Sequence, residues 1–405
     1  SAGRDLALAG AQLANNGSGA TVLQAGRDVT LATVSSGESR DVRWNATDRL
    51  HSGQQQEIGS SIHTAGDLAI VAGQDLNARA ANLASDKGAV ALQAGRDLKL
   101  VNGENTRNED WQTQSSKKGL LSSKTTNESY QRQQTDIVSS SVSGHSVSLQ
   151  AGGNMAIQAS QVVSDQATRL QAGGNIAITS ATASDSYSSQ RDEKKSGLMG
   201  GGGLGFTIGK AAQGNVNGVS TTLAVGSTVG SVQGDVVILA GKDLQLKGSD
   251  VIAGQDITMA AQNVRIEHAE HTQTQQTSSY SKQSGLTVAL SGGVVDAAQT
   301  AVSAAQAAGN SNNSRLAALQ GVKAGLAGYQ ALQTAQQGGG SGEVADPSFA
   351  GVSVSLGSQR SQSQSQTSSS NASSSELNAG RNVHIIATGD GSKGADGVAQ
   401  NGDIS

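Results

Sequence analysis

The stretch VALQAGRDLKL, residues 90–100, contains the short motif that decides the fold. Apolar residues alternate with others on both sides of its centre, with Val90 and Leu92 before it and Leu98 and Leu100 after it. A period of two predicts strands that bury one face. The glycine between the two strands predicts a bend, because glycine adopts positive φ angles that other residues avoid.

The motif recurs along the chain as Ala-Gly-x-(Asp/Asn)-aliphatic, in nine copies. Where no insertion separates them, neighbouring copies lie 21 to 23 residues apart, except for one irregular step of 13 residues. Short strands that recur at this period without crossover helices predict a parallel β-helix, a solenoid of stacked coils. The predicted corner glycines are Gly3, Gly26, Gly73, Gly95, Gly152, Gly173, Gly241, Gly254 and Gly380.

The acidic position of the motif is predicted to be structural. It is occupied by Asp5, Asp28, Asp75, Asp97, Asp243 and Asp256, and by Asn154, Asn175 and Asn382. Asp and Asn share a hydrogen-bond acceptor, but only Asp carries a charge or a transferable proton. The site therefore needs an acceptor for a turn N–H, not an acid. The residue before it varies, as a solvated position tolerates, so Arg96 is not part of an adhesive tripeptide.

Composition excludes several classes of function. The absence of cysteine excludes disulfides and thiolate metal sites, and a net charge of −4 is too small to indicate a nucleic-acid partner. The glycine-rich stretch 200–211 departs from the phosphate-loop pattern, so no nucleotide is expected. EHAEH at 267–271 fits no zinc spacing, and no Ser, His and acid set stands out. We expect no cofactor, no metal and no catalytic residues.

Four insertions interrupt the repeat, and they are interpreted as β-hairpins or loops that protrude from the β-helix. They span about 35–62, 102–142, 182–232 and 268–376. The last is rich in Ala, Gln and Leu over about 294–308 and 314–337, which predicts a helical hairpin packed on the β-helix or on a partner. Its serine- and glutamine-rich part, 361–374, is compatible with either a polar strand or disorder.

Three insertions share a basic, glycine and leucine element. The elements are KKGLL (117–121), KKSGLMGGGGLGF (194–206) and KQSGLTVALSGG (282–293). The hairpins that carry these elements are predicted to contact a partner or a membrane. The candidate contact residues are Lys117, Lys118, Leu120, Leu121, Lys194, Lys195, Leu198, Phe206, Lys282 and Leu286.

The AGRDL and AGGN corners strongly resemble the filamentous haemagglutinin-type repeats of two-partner secretion exoproteins. The insertion-rich form is most similar to the second, C-terminal repeat region of contact-dependent growth inhibition effectors. The resemblance implies an all-β, right-handed parallel β-helix, with residues 1–405 a single fragment of a longer rod. It also implies a secreted or cell-surface protein exported by an outer-membrane two-partner secretion transporter. Adjacent repeats and a C-terminal toxin region of the parent chain would be its neighbours.

The function implied by this resemblance is a non-enzymatic structural and delivery segment that helps to carry the toxin across the outer membrane of a target cell. The target's outer membrane or a receptor would be the partner. An adhesin module that binds host glycans or receptors is the alternative. A carbohydrate-active enzyme on a β-helix is disfavoured, because the Asp residues repeat at equivalent corners and exchange with Asn.

Overall fold

A computed structural model describes residues 1–200, 205–291, 351–390 and 402–405, and over these residues the chain is all-β. One parallel sheet of eight strands forms a flat face of a solenoid. Its strands are β1 (Leu6–Ala9), β4 (Val29–Ala32), β9 (Leu76–Arg79), β12 (Leu98–Val101), β16 (Met155–Gln158), β18 (Ile176–Thr179), β23 (Asp243–Lys247) and β26 (Asn263–Glu267).

A second parallel sheet, of 14 strands, bends to form the two other faces. One face contains β2 (Gln12–Asn15), β7 (Ser61–Thr64), β10 (Asn82–Ser85), the first parts of β15 (Ser141–Ala151) and β17 (Gln161–Ala172), β21 (Thr228–Ser231), β24 (Asp250–Ala253) and β29 (Glu376–Ala379). The other contains β3 (Thr21–Ala25), β8 (Leu68–Ala72), β11 (Ala89–Ala94), the second parts of β15 and β17, β22 (Val236–Ala240), β25 (Ile257–Ala261) and β30 (Val383–Ala387). The predicted parallel β-helix is confirmed.

The core consists of columns of equivalent residues from successive coils. Parallel, in-register pairing places Leu98 between Leu76 of the preceding coil and Met155 of the following one. All three side chains are almost completely buried. Burial of such a side chain contributes about 1.5–3 kcal/mol, but only the neighbouring coils complete it. Each coil therefore depends on those above and below it.

The repeat glycines occupy two different corners. Seven of the nine precede strands of the first face, whereas Gly254 and Gly380 precede β25 and β30 of another face. The irregular 13-residue step therefore connects two corners of one coil. At the equivalent position after β25 the chain has Asn263, which accepts a hydrogen bond from the backbone N–H of Asp403.

The expected positive φ at these corners is wrong. Among the described glycines only Gly10, Gly197, Gly248 and Gly389 have positive φ, and none of them belongs to the motif. Glycine is needed because successive coils approach closely: a Cβ on Gly95 would lie 2.1 Å from the carbonyl oxygen of Gly73. Contact between coils, not the bend itself, excludes a side chain.

The Asp and Asn side chains form a ladder between coils. The backbone N–H of Asn154 donates to Oδ1 of Asp97 at 2.8 Å, and that of Asn175 donates to Oδ1 of Asn154 at 3.0 Å. Arg96 is exposed, but its guanidinium also binds Asp75 of the preceding coil and holds the pKa of that carboxyl below its ordinary value. The acceptor serves the next coil, so Asp and Asn serve equally.

The insertions form four antiparallel hairpins that pair with one another. Their strands are β5 (Val34–Arg43), β6 (Arg49–Ile58), β13 (Gly103–Lys118), β14 (Ser122–Val138), β19 (Ala181–Gly200), β20 (Gly205–Val225), β27 (Ala269–Ser291) and β28 (Gly351–Ser373). These strands join in chain order into one eight-stranded sheet, called here the antiparallel sheet. The sequence predicted protruding hairpins but not their pairing. The serine-rich stretch is largely strand β28, and the predicted helices at 294–308 and 314–337 lie outside the described residues.

All four hairpins leave the solenoid at the same corner and from every second coil. They follow β4, β12, β18 and β26, while β1, β9, β16 and β23 pass directly into the next coil. A hairpin supplies two strands to the antiparallel sheet, and two coils rise by about two strand spacings of 4.8 Å each. One hairpin per two coils therefore keeps both hydrogen-bond ladders in step.

The corner from which the hairpins leave has features that the sequence patterns did not reveal. Coils without a hairpin turn there through a residue with positive φ: Gly10, Ala80, Ala159 or Gly248. Coils with a hairpin have a serine two residues after it: Ser60, Ser140, Ser227 or Ser375. Each hydroxyl donates a hydrogen bond to the backbone carbonyl that precedes the hairpin. Each also accepts a hydrogen bond from a backbone N–H of a neighbouring coil. A serine at the fixed offset after each insertion was the available signal.

Candidate functional site at the tip of the antiparallel sheet

The outer ends of three hairpins converge at the far end of the antiparallel sheet. Strand length grows from 10 residues in β5 to 23 residues in β27, so the later hairpins extend furthest. We call residues 117–125, 194–200, 205–212, 282–288 and 354–360 the tip. The tip contains every candidate contact residue that the sequence indicated.

The strand register aligns the basic, glycine and leucine elements in parallel rows across the tip. Ile208 lies opposite Leu198 and Leu286, and Leu286 lies opposite Leu356. A neighbouring row consists of glycines: Gly197, Gly209, Gly285 and Gly357. Strand β28 thus supplies a fourth element, SLGSQR (355–360), which sequence reasoning missed. Its residue order is reversed because β28 returns toward the solenoid, and this reversed order was the available signal.

The glycine row is a line of close contact between strands. A Cβ on Gly209 would lie 2.0 Å from the carbonyl oxygen of Ser284, and one on Gly285 would lie 2.4 Å from that of Ile208. Gly197 has a φ of 101°, which side-chain-bearing residues rarely adopt. Larger residues would disrupt the strand pairing along this line, which separates the cations from the apolar rows.

Alternation along each strand divides the predicted cations between the two sides of the sheet. Lys117 and Lys195 share one side, called here the ion-paired face, with Lys124, which lies directly opposite both in the register. Lys118 follows Lys117 in β13 and therefore lies on the other side. Glu193 lies on this face with only 5 % of its surface exposed. It binds Lys124 and Lys195, each at 2.7 Å. These two ammonium groups lower the pKa of Glu193 to about 2.

The ion-paired face carries further contacts between strands closer to the solenoid. Arg132 binds Asp185 at 2.7 Å. The rings of Trp111, Tyr130 and Tyr187 stack from strand to strand, with centroids 5.9 and 6.3 Å apart. Cross-strand pairs of these kinds stabilise a sheet. The paired charges on this face therefore stabilise the sheet itself.

The opposite side of the tip, called here the cationic face, lacks such compensation. Lys194, Lys210, Lys282 and Arg360 come from four adjacent strands and surround a shallow depression around Ala212. The described lining contains no acidic residue. Within the described part of the chain, none of the four cations has an acid within ion-pair distance; Lys282 lies 5.7 Å from the Tyr280 ring and Arg360 donates to Gln362. The depression is a strongly positive site.

Apolar side chains continue the cationic face beyond the glycine row. Leu198, Ile208, Leu286 and Leu356 are exposed by 41, 52, 39 and 84 %. Phe206 lies further out, and Leu120 and Leu121 occupy the neighbouring turn, all of them exposed. Grouped exposed apolar side chains mark a contact surface more often than chance scatter does. The tip thus presents cations and apolar groups on one side.

Comparison with known proteins identifies the family. A model described as hemagglutinin repeat matches residues 46–123, 119–222, 213–324 and 356–405, which is most of the chain. The chain belongs to this family. The resemblance to the haemagglutinin-type repeat region of contact-dependent growth inhibition effectors is therefore confirmed. Haemagglutinin repeat regions are structural, and the family implies a secreted or cell-surface two-partner secretion protein.

Several curated relatives are similar to this chain. Deoxyribonuclease CdiA of Dickeya dadantii is 37 % identical over 394 residues, which are 96 % of this chain and 12 % of the relative. Deoxyribonuclease CdiA of Yersinia pseudotuberculosis is 47 % identical over 62 % of the chain and 23 % of the relative. tRNA nuclease CdiA-2 of Burkholderia pseudomallei is 33 % identical over 96 % of the chain and 13 % of the relative. The chain thus spans less than a quarter of each of these proteins. No solved structure matches it.

Two further features of the described residues bear on chemistry. They contain no group of three His, Cys, Asp or Glu side chains that could hold a metal ion. The described part of the chain also contains no helix of the length and apolarity needed to cross a membrane.

Proposed function

We propose that this segment is a non-enzymatic structural and delivery element of its parent exoprotein. The solenoid would act as a rod, and the tip of the antiparallel sheet would be the part that contacts the target cell while the C-terminal toxin is carried across its outer membrane. The observation that carries this proposal is the convergence of the three longer hairpins, which leave alternate coils, on one exposed tip. A rod that served only as a spacer would not need these hairpins.

Two features support a role without catalysis. The corner Asp side chains accept hydrogen bonds from backbone N–H groups of the next coil, and Asn replaces Asp in three coils. The strongest perturbed carboxyl, Glu193, is fixed between two lysines and kept ionised. Neither arrangement leaves a free acid or base poised for proton transfer. Export by an outer-membrane transporter belongs to the same proposal.

Trimming the tip in the full-length parent protein tests the delivery role. The register places Trp111, Tyr130, Ser189, Asn217 and Thr277 in one row across the sheet. Cutting each of the three long hairpins at this row, and closing each with a two-residue Asn-Gly turn, removes the tip and keeps the inner ladder paired. We expect normal surface display and loss of target-cell killing.

A matched control shortens only the first hairpin, β5–β6, whose ten-residue strands end before the tip. Killing should survive that change. Undiminished killing by the displayed tip-trimmed protein would refute the delivery role. Loss of adhesion to target cells, with toxin entry intact once contact is enforced, would instead support the adhesin alternative.

A further inference from the structure

We infer that the cationic face of the tip docks on an anionic lipid surface, with its cations on phosphate groups and its leucine row in the hydrocarbon. This inference rests on the proposed role of the tip as the contact element and specifies the chemistry of what it contacts. Three independent features of the face support it: unpaired charge, exposed apolar rows, and the distance between the two.

The charge of the face is available to an external anion. Lys124 and Lys195 on the ion-paired face are neutralised by Glu193, whereas Lys194, Lys210 and Lys282 on the cationic face have no acidic partner among the described residues. Four unpaired cations that converge from four strands repel one another, which weakens the sheet. A bound polyanion removes this repulsion, so the arrangement fits a surface of phosphate groups.

The apolar rows distinguish a lipid from a free phosphate or a nucleic acid. In β19, β27 and β28 the cation and the leucine on the same face are four residues apart, as in Lys282 and Leu286. Four residues of a strand extend about 13 Å. The headgroup layer on one side of a bilayer is roughly 5–8 Å thick. When such a strand runs along the bilayer normal with its lysine among the phosphates, its leucine therefore lies beyond the headgroups.

Vesicle binding by the 405-residue chain tests the inference. The probes are phosphatidylcholine vesicles with and without about one-third phosphatidylglycerol, and pyrophosphate as a soluble competitor. Each basic residue near an anionic surface contributes about a fivefold gain in affinity. We expect the variant K194Q/K210Q/K282Q/R360Q to lose at least about 100-fold in affinity for the anionic vesicles. Binding of the unchanged chain should weaken steeply with salt.

A matched control removes the same number and type of charges from the solenoid. Lys87, Lys99, Arg169 and Lys242 are exposed and form no ion pair with any described residue. The variant K87Q/K99Q/R169Q/K242Q should bind anionic vesicles within about threefold of the unchanged chain. Equal losses in the two quadruple variants would overturn the inference, because they would show that net charge alone governs binding.

Insertion of the apolar row has its own readout. The chain contains no cysteine, so Leu356→Cys accepts a single environment-sensitive dye. We expect a blue shift when the labelled chain meets anionic vesicles, and none for Ser148→Cys on an exposed strand of the solenoid. Binding that pyrophosphate abolishes, with no spectral change at position 356, would assign the site to soluble phosphates and overturn the lipid assignment.

The lipid inference and the delivery role can fail separately. If the chain ignores anionic vesicles while tip trimming abolishes killing, the lipid assignment is wrong and delivery stands. If the chain binds vesicles as expected while trimmed proteins kill normally, delivery is wrong and the lipid site stands.

Discussion

Replacing Ser227 by alanine should loosen the solenoid at the base of the third hairpin. The Ser227 side chain is almost completely buried. Its hydroxyl donates to the carbonyl of Thr179, the last residue of β18 before that hairpin, at 2.8 Å. It also accepts the backbone N–H of Ser160 in a neighbouring coil at 3.2 Å. One hydroxyl therefore joins the two ends of the hairpin and ties them to the preceding coil.

The size of the effect follows from which partners are left unsatisfied. The Thr179 carbonyl keeps a second donor, the N–H of Ala159 at 2.9 Å, and so loses little. The Ser160 N–H keeps no other partner among the described residues. A buried donor left unpaired costs about 1–3 kcal/mol. Loss of the hydrogen bond from the hydroxyl to the Thr179 carbonyl adds roughly 0.5 kcal/mol. We expect Ser227→Ala to lower the free energy of unfolding by about 2 kcal/mol.

Urea unfolding followed by circular dichroism gives the overall change, and amide hydrogen exchange locates it. Exchange should accelerate around Ser160 and at the base of β19 and β20, and remain unchanged near Leu76. Ser148→Ala, at an exposed serine whose side chain has no hydrogen bond to any described residue, is the matched control and should cost less than about 0.5 kcal/mol. Equal losses for the two variants would refute the argument that the hydroxyl closes the hairpin.

Three further outcomes follow from other contacts. Gly95→Ala should destabilise the rod by several kcal/mol, roughly 3 or more, because its Cβ would meet the Gly73 carbonyl at 2.1 Å; Gly3→Ala, with nothing within 4 Å, should be nearly neutral in the same urea unfolding assay. Ala159→Gly should raise the unfolding midpoint by an amount equivalent to about 0.5–1 kcal/mol, because alanine is strained at a φ of 43°; an unchanged or lowered midpoint would contradict this. The pKa of Glu193 is about 2, below its ordinary value of 4.5, so its contribution should be complete above pH 4.5 and disappear as the pH falls toward 2. Solvent screening of the exposed lysines limits this contribution to about 1 kcal/mol, and a Glu193→Gln variant that loses as much stability as the unchanged chain between pH 5 and pH 2 would contradict it.

Much of the solenoid could be predicted because its determinants are local. The alternation around Gly95 is visible within a single repeat, and the exchange of Asp97 for Asn154 is visible when one copy is compared with the next. The reason for the glycine was wrong, because the atom that excludes a side chain belongs to the preceding coil. Likewise, the motif alone does not show at which corner of the coil Gly254 lies. That position is known only when the strands around the coil are counted.

At the tip, too, the sequence predicted local features but not those that depend on pairing between distant strands. The sequence indicated Lys194, Lys195 and Lys282 as contact residues, but it could not tell which of the two adjacent lysines shares a face with Lys282. That assignment depends on the register between hairpins that are up to about 90 residues apart in the chain. By itself the sequence determined the repeating coil, the positions of the insertions and the basic, glycine and leucine elements. Only the tertiary structure decided that the hairpins form one sheet. Strand pairing between hairpins requires one hairpin per two coils, because the two strands of a hairpin are as wide as the rise of two coils. This match exists only once the coils are stacked.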